Sequence, residues 1–183
     1  VGFSRRKMDI TPKEVYEITL YQLGALSAFC KANQLTLSHV KPHGALYNLA
    51  SVQEDIANAI AEAVYDFDPS LLLFGLANSK LIEAGQTCGL QTASEVFADR
   101  TYQSDGTLTP RSQKNAVIDD VENAIEQVLQ MVQQGHVQAV TGEVIPIQAD
   151  TICVHGDNEH ALQFVKQLRR TLEQSGIIIQ RIR

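Results

Sequence analysis

Three short polar clusters hold the residue types that do chemistry: Lys41-Pro42-His43-Gly44, Glu95 through Arg100, and His155-Gly156-Asp157. Each closes a short apolar run and opens a loop toward a helix-patterned segment. Ionisable groups gathered at the carboxyl ends of parallel strands are how α/β enzymes assemble active sites from sequence-distant pieces. Lys41, His43, Glu95, Asp99, His155 and Asp157 are therefore the candidate catalytic groups. A lysine and a histidine beside carboxylates can supply a general acid, a general base and a cation for developing negative charge. If pleating persists to the strand ends, His39, Lys41 and His43 share one face. So do Glu95, Phe97 and Asp99, and likewise Cys153, His155 and Asp157. Either histidine alone reads better as a hydrogen-bonded loop residue; several matching strand ends together favour a site.

Metal chemistry has weaker support. His43, His155, Asp99 and Asp157 are competent ligands, but no HxH or HExxH spacing organises them, and no metal site is assigned. Cys153 lies mid-strand between Ile152 and Val154, where a buried, inert thiol is the expectation. From Ala98 to Asn115 no apolar period exists, and a connection of that length is usually functional or disordered. Within it Arg100 and Arg111 can fork onto a carboxylate or phosphate, with Tyr102 supplying a ring. A solvated surface loop is the equal alternative for each of these residues. Neither GxxxxGK[ST] nor GxGxxG occurs, so any nucleotide would be held without those fingerprints.

The elements that must position these groups follow from pattern. Thr11-Pro12-Lys13-Glu14 is a capping box with Pro at the first helical position, predicting a helix from about Pro12 to Ala32. Its stretch from Leu20 to Cys30 is apolar around much of the circumference, which predicts burial on more than one side. Residues 38–42 form a strand, and Ser51-Val52-Gln53-Glu54 reads as a second capping box opening a helix to Phe67. Leu71 to Phe74 is a strand covered on both faces. A helix from Ser79 to Cys88 and a strand at 91–97 follow. Val121 to Val132 is an amphipathic helix ending at Gly135, and 137–147 a β-hairpin. Thr151–His155 is a strand, Asn158–Ser175 a helix, and Ile177–Ile179 a last strand.

This alternation implies parallel strands with right-handed crossovers in one α/β domain over residues 1–183. An incomplete parallel barrel is the first reading and an open doubly wound sheet the second. The apolar fraction of 44% and charged fraction of 20% are ordinary for a globular chain. A net charge of −6 argues against nucleic acid as a partner. No apolar run approaches the ~20 residues of a membrane span. Three cysteines without CxxC spacing fit a reducing, cytoplasmic setting. The chain opens Val1-Gly2-Phe3 without an initiator Met, so it is expected to be part of a longer polypeptide.

Four segments carry a resemblance: Val40 through Asn48, Glu95 through Arg100, Gly106-Thr107-Leu108 with Pro110-Arg111, and Ile152 through Asp157. Together they resemble the 5-oxoprolinase A-subunit family, also called LamB/YcsF, across essentially the whole chain. Gly2-Phe3-Ser4-Arg5-Arg6 is similar to that family's Gly-Phe-Gly-Arg-Arg, with Ser4 as a departure. The resemblance implies a distorted (β/α) barrel of the glycoside hydrolase/deacetylase type, lacking its N-terminal strands in this chain. It also implies a bacterial enzyme that opens 5-oxoproline to glutamate with ATP hydrolysis, Mg accompanying ATP, in company with subunits B and C. Arg5, Arg6, Asn48, Arg100, Tyr102 and Arg111 are then the substrate-binding candidates. Three segments that the family carries are absent here: an Asp-Asn-Asp type, Cys-Gly-Phe-His-Ala-Gly-Asp and His-Pro-Gly-Tyr-Pro-Asp. One alternative is a carbohydrate deacetylase-like hydrolase, another a non-catalytic scaffold subunit; self-association is left open.

Overall fold

The computed structural model describes residues 6–156 and 161–181. Arg5 and Asp157, both singled out above, lie outside the described residues. The chain divides into two compact units, Val1–Glu95 and Val96–Arg183.

The first unit opens with α1 (Pro12–Ala32). The expected capping box is formed. The Thr11 hydroxyl accepts the Glu14 N–H at 3.3 Å while the Glu14 carboxylate accepts the Thr11 N–H at 2.8 Å. Helix α1 packs chiefly on α3 (Glu54–Phe67), burying Val15 and Leu23. Burial on more than one side, expected from composition, is not found: Tyr21 is 76% and Phe29 71% exposed. Strands β1 (His39–Val40), β2 (Leu72–Leu76) and β3 (Thr92–Phe97) are parallel, with Val40 opposite Leu73 and Leu76 opposite Glu95. Between the strands run α2 (Ala45–Val52), α3 and α4 (Lys80–Thr87). Their apolar faces meet β2 in a core containing Ile60, Val64, Leu71, Leu73 and Leu81. This core fixes the strands whose ends carry the polar groups.

Helix α2 was not expected, and it explains why the second capping box fails. Ser51 belongs to the last turn of α2, where its hydroxyl donates to the Tyr47 carbonyl at 2.8 Å. Gln53 takes the N-cap position of α3 without a side-chain cap. Gly44, at φ 61 and ψ −127, turns the chain into α2 in a conformation that favours glycine.

In the second unit α5 (Val121–Leu129) is capped by Asp120, whose carboxylate accepts the Asn123 N–H at 2.8 Å. It widens into a π-helical segment over Gln130–Gln134 and stops at Gly135 with φ 67. The expected hairpin is β4 (His136–Gln138) with β5 (Val144–Pro146), antiparallel. Strand β6 (Thr151–Cys153) follows, and its Cys153 carbonyl accepts the Ala98 N–H at 3.1 Å within the same unit. Helix α6 (Ala161–Gln174) buries Phe164, Leu168 and Leu172. The strand expected at Ile177–Ile179 is irregular and Ile178 is 83% exposed. A β-branched run becomes a strand only beside an edge that can take its backbone groups. Among the described residues no helix is long and apolar enough to cross a membrane.

Candidate functional site

The first polar cluster belongs to the first unit. The parallel register of β2 and β3 sets Glu95 opposite Leu76, and the Glu95 carbonyl accepts the Ala77 N–H at 3.0 Å. Lys41 follows β1, and its Nζ donates to Glu95 Oε1 at 2.6 Å. From α2, the Tyr47 hydroxyl donates to Glu95 Oε2 at 2.9 Å. The Lys41 ammonium also stands 5.6 Å from the centre of the Tyr47 ring, within cation–π range. Glu95 is buried, with its side chain only 4% exposed, whereas that of Lys41 is 29% exposed. A buried carboxylate is tolerable when both oxygens receive donors, one of them charged. The result is a partly exposed cation paired with a buried anion.

The remaining candidates of this segment are placed differently. Pleating ends at Val40, so His39, Lys41 and His43 do not share a strand face. His39 instead stacks on Phe74 with ring centres 4.7 Å apart. His43 and Asn48 are exposed, on either side of the entry into α2. Arg6 is exposed as well.

The second cluster belongs to the second unit. His155 Nδ1 lies 2.9 Å from Asp99 Oδ1 and 2.8 Å from Oδ2, with Phe97 tilted against the imidazole at 5.8 Å. Burial pushes the Asp99 carboxyl up, but the hydrogen bond and charge of His155, with backbone N–H donors, outweigh it. The carboxyl ends below its ordinary value. An anionic Asp99 accepts from Nδ1–H, which leaves Nε2 as the nitrogen that exchanges a proton. Helix α5 braces this strand end, the Gln127 amide donating to the carbonyls of Phe97 and Arg100 at 3.2 and 3.0 Å.

Arg100 and Tyr102, expected to touch substrate, are built into the loop itself. Arg100 is 6% exposed, and its Nε and Nη2 donate to the carbonyls of Ala116 at 2.9 Å and Thr109 at 2.6 Å. Burial and the nearby charge of Arg111 lower its pKa. Tyr102 is fully buried, and its hydroxyl accepts the Phe97 N–H at 2.8 Å. A sequence shows a guanidinium and a ring but not that backbone carbonyls will claim them. Arg111 is exposed. Cys153 is half-buried, not buried as expected. Tyr47 is the functional candidate that sequence reading missed: it stands on α2, which the pattern did not predict, and its partner Glu95 is 48 residues further on. Among the described residues no group of three or more His, Cys, Asp or Glu could hold a metal ion.

Residues 1–183 match the model of the LamB/YcsF family. The chain belongs to that family. Similar LamB/YcsF relatives include the A subunit of 5-oxoprolinase from Geobacillus thermodenitrificans, 57% identical over 183 residues, covering 100% of this chain and 72% of the relative. The A subunit of 5-oxoprolinase from Bacillus subtilis is 55% identical over 177 residues, covering 97% of this chain and 69% of that protein. The crystal structure of the lactam utilization protein from Thermus thermophilus superposes with a TM-score of 0.89 at 43% identity, over 99% of this chain and 72% of that one. These likenesses bear out the fold class read from the sequence, a parallel (β/α) fold of the partial-barrel kind.

Proposed function

We propose that this LamB/YcsF chain is the A subunit of an ATP-dependent 5-oxoprolinase, a bacterial hydrolase that opens 5-oxo-L-proline to L-glutamate with subunits B and C in the cytoplasm. The relatives' shared name supports the substrate. The observation that carries the chemistry is Lys41 held at 2.6 Å by buried Glu95.

A lactam carbonyl is resonance-stabilised, so water attacks it readily only when its oxygen becomes a better electron sink. ATP, with its Mg, supplies that activation. What this chain supplies is a fixed cation: Lys41 stabilises negative charge developing on the lactam oxygen, a contribution on the order of 3–4 kcal/mol by analogy with oxyanion-hole donors. Within the second unit, His155, oriented through Nδ1 by Asp99, is a separate candidate for proton transfer at Nε2. Arg111 is the exposed guanidinium suited to the substrate carboxylate.

The test is glutamate release from 5-oxoproline by the full-length subunit mixed with its two partners. Lys41→Met is expected to lower kcat ~100-fold or more with a smaller change in KM. A rise in KM with kcat intact would make Lys41 a ground-state binding residue. Activity surviving Lys41→Ala and Asp99→Asn together would favour a scaffold role.

A further inference from the structure

We infer that Tyr47 is a positioning residue: its hydroxyl locks the Glu95 carboxylate in the orientation that aims the Lys41 ammonium. This rests on the reading of Lys41 as the cation of the 5-oxoprolinase reaction. The terminal torsion of a glutamate is soft and nearly two-fold, so a carboxylate with a single donor can swivel. Here two donors from different elements take separate oxygens, Lys41 on Oε1 at 2.6 Å and Tyr47 on Oε2 at 2.9 Å, which fixes the plane. Tyr47 is itself buried, 4% exposed, on a helix entered through the Gly44 turn. Its ring adds a second constraint, lying 5.6 Å from Nζ. Removing only the hydroxyl leaves Oε2 of a buried anion without that donor. Glu95 then rotates to recruit Lys41 to both oxygens, and Nζ leaves its aim. The same occupancy assigns Glu95 a holding role: with a donor on each oxygen, it anchors the cation and does not act as the base.

The experiment is a double-mutant cycle in the complete subunit reconstituted with its partners. Tyr47→Phe is expected to lower kcat by ~10-fold or more with KM within about 2-fold, the effect of losing one hydrogen bond to a charged group. In a Glu95→Gln background the same change is expected to cost less than ~3-fold, because Tyr47 acts through Glu95. A merely structural tyrosine would cost the same in both backgrounds and would show in the melting temperature. Acetic anhydride labelling of Lys41 in the isolated folded protein, followed by peptide mass, reads the aim without turnover. Its rate relative to the other lysines is expected to change in Tyr47→Phe. Wild-type complex without ATP-dependent glutamate release overturns the functional reading. Active wild type in which Tyr47→Phe leaves both kcat and Lys41 labelling unchanged, or in which the two changes are additive, overturns the positioning role alone.

Discussion

Asp99 and His155 show how little of a residue's role lies in its type. Both are half-buried side chains whose partner is 56 positions away in the chain, and proximity converts each into something neither is alone. Because the native Asp99 carboxyl sits below its ordinary value, the folded state holds the anion more tightly than the unfolded chain does. Its stabilisation is therefore fully present above the unfolded carboxyl's pKa and is lost as pH falls through the lower native value. The gap in melting temperature between wild type and Asp99→Asn should shrink as pH falls through the ordinary carboxylate range and below it. A gap that stays flat to pH 3 would show that the pair adds no pH-dependent stability. Separately, Asp99→Asn should reduce kcat in the reconstituted complex, since the amide no longer enforces the Nδ1–H tautomer.

At the scale of elements, the strand ends are only as precise as the packing behind them. Gly85 on α4 is the tightest point: a Cβ there would lie 2.7 Å from Thr92 Cγ2 and 3.0 Å from Leu73 Cδ2. Gly85→Ala should therefore push α4 off β2 and β3 and destabilise the protein by about 1–3 kcal/mol, measured by denaturant unfolding. Unchanged stability would mean that the helix yields freely. Arg100→Met should loosen the long loop, removing the guanidinium from the Thr109 carbonyl and leaving that of Ala116 with only the Thr101 N–H at 3.3 Å; faster limited proteolysis between residues 98 and 120 would register it. Sequence logic reached those elements whose signals are local. The Thr11 box, the Gly135 stop and the apolar β2 run needed no distant partner to be read. It failed where a neighbour decides. Ser51 resembled a cap until α2 claimed it, and the β-branched run Ile177–Ile179 pairs with no strand among the described residues. The site was legible in the same proportion: Lys41, Glu95, Asp99 and His155 announced themselves as ionisable residues at strand ends. Tyr47 went unread because neither α2 nor its partner Glu95, 48 residues on, is signalled locally, and Arg100 misled because its burial is set by carbonyls 9 and 16 residues on.

At the scale of the whole molecule, lactam opening demands more than this chain carries in recognisable form. The proposed ATP-coupled opening of the lactam would need a phosphate cradle and a place for the nucleotide's metal ion. The sequence has neither a P-loop nor a dinucleotide-binding fingerprint. Arg100, one of the two loop arginines suited to phosphate, is committed to backbone carbonyls. A net charge of −6 further disfavours binding a polyanion without help from elsewhere. The prediction is that the full-length protein, without its partners, hydrolyses neither ATP nor 5-oxoproline at a measurable rate. Adding the B and C subunits should bring on both activities together, with ATP consumption coupled to glutamate formation. Lys41→Met in this chain should suppress glutamate release even when the partners are wild type. If the isolated protein instead hydrolyses ATP and 5-oxoproline stimulates it, the nucleotide site lies in this chain. The division of labour argued from Lys41 and Arg100 would then fail.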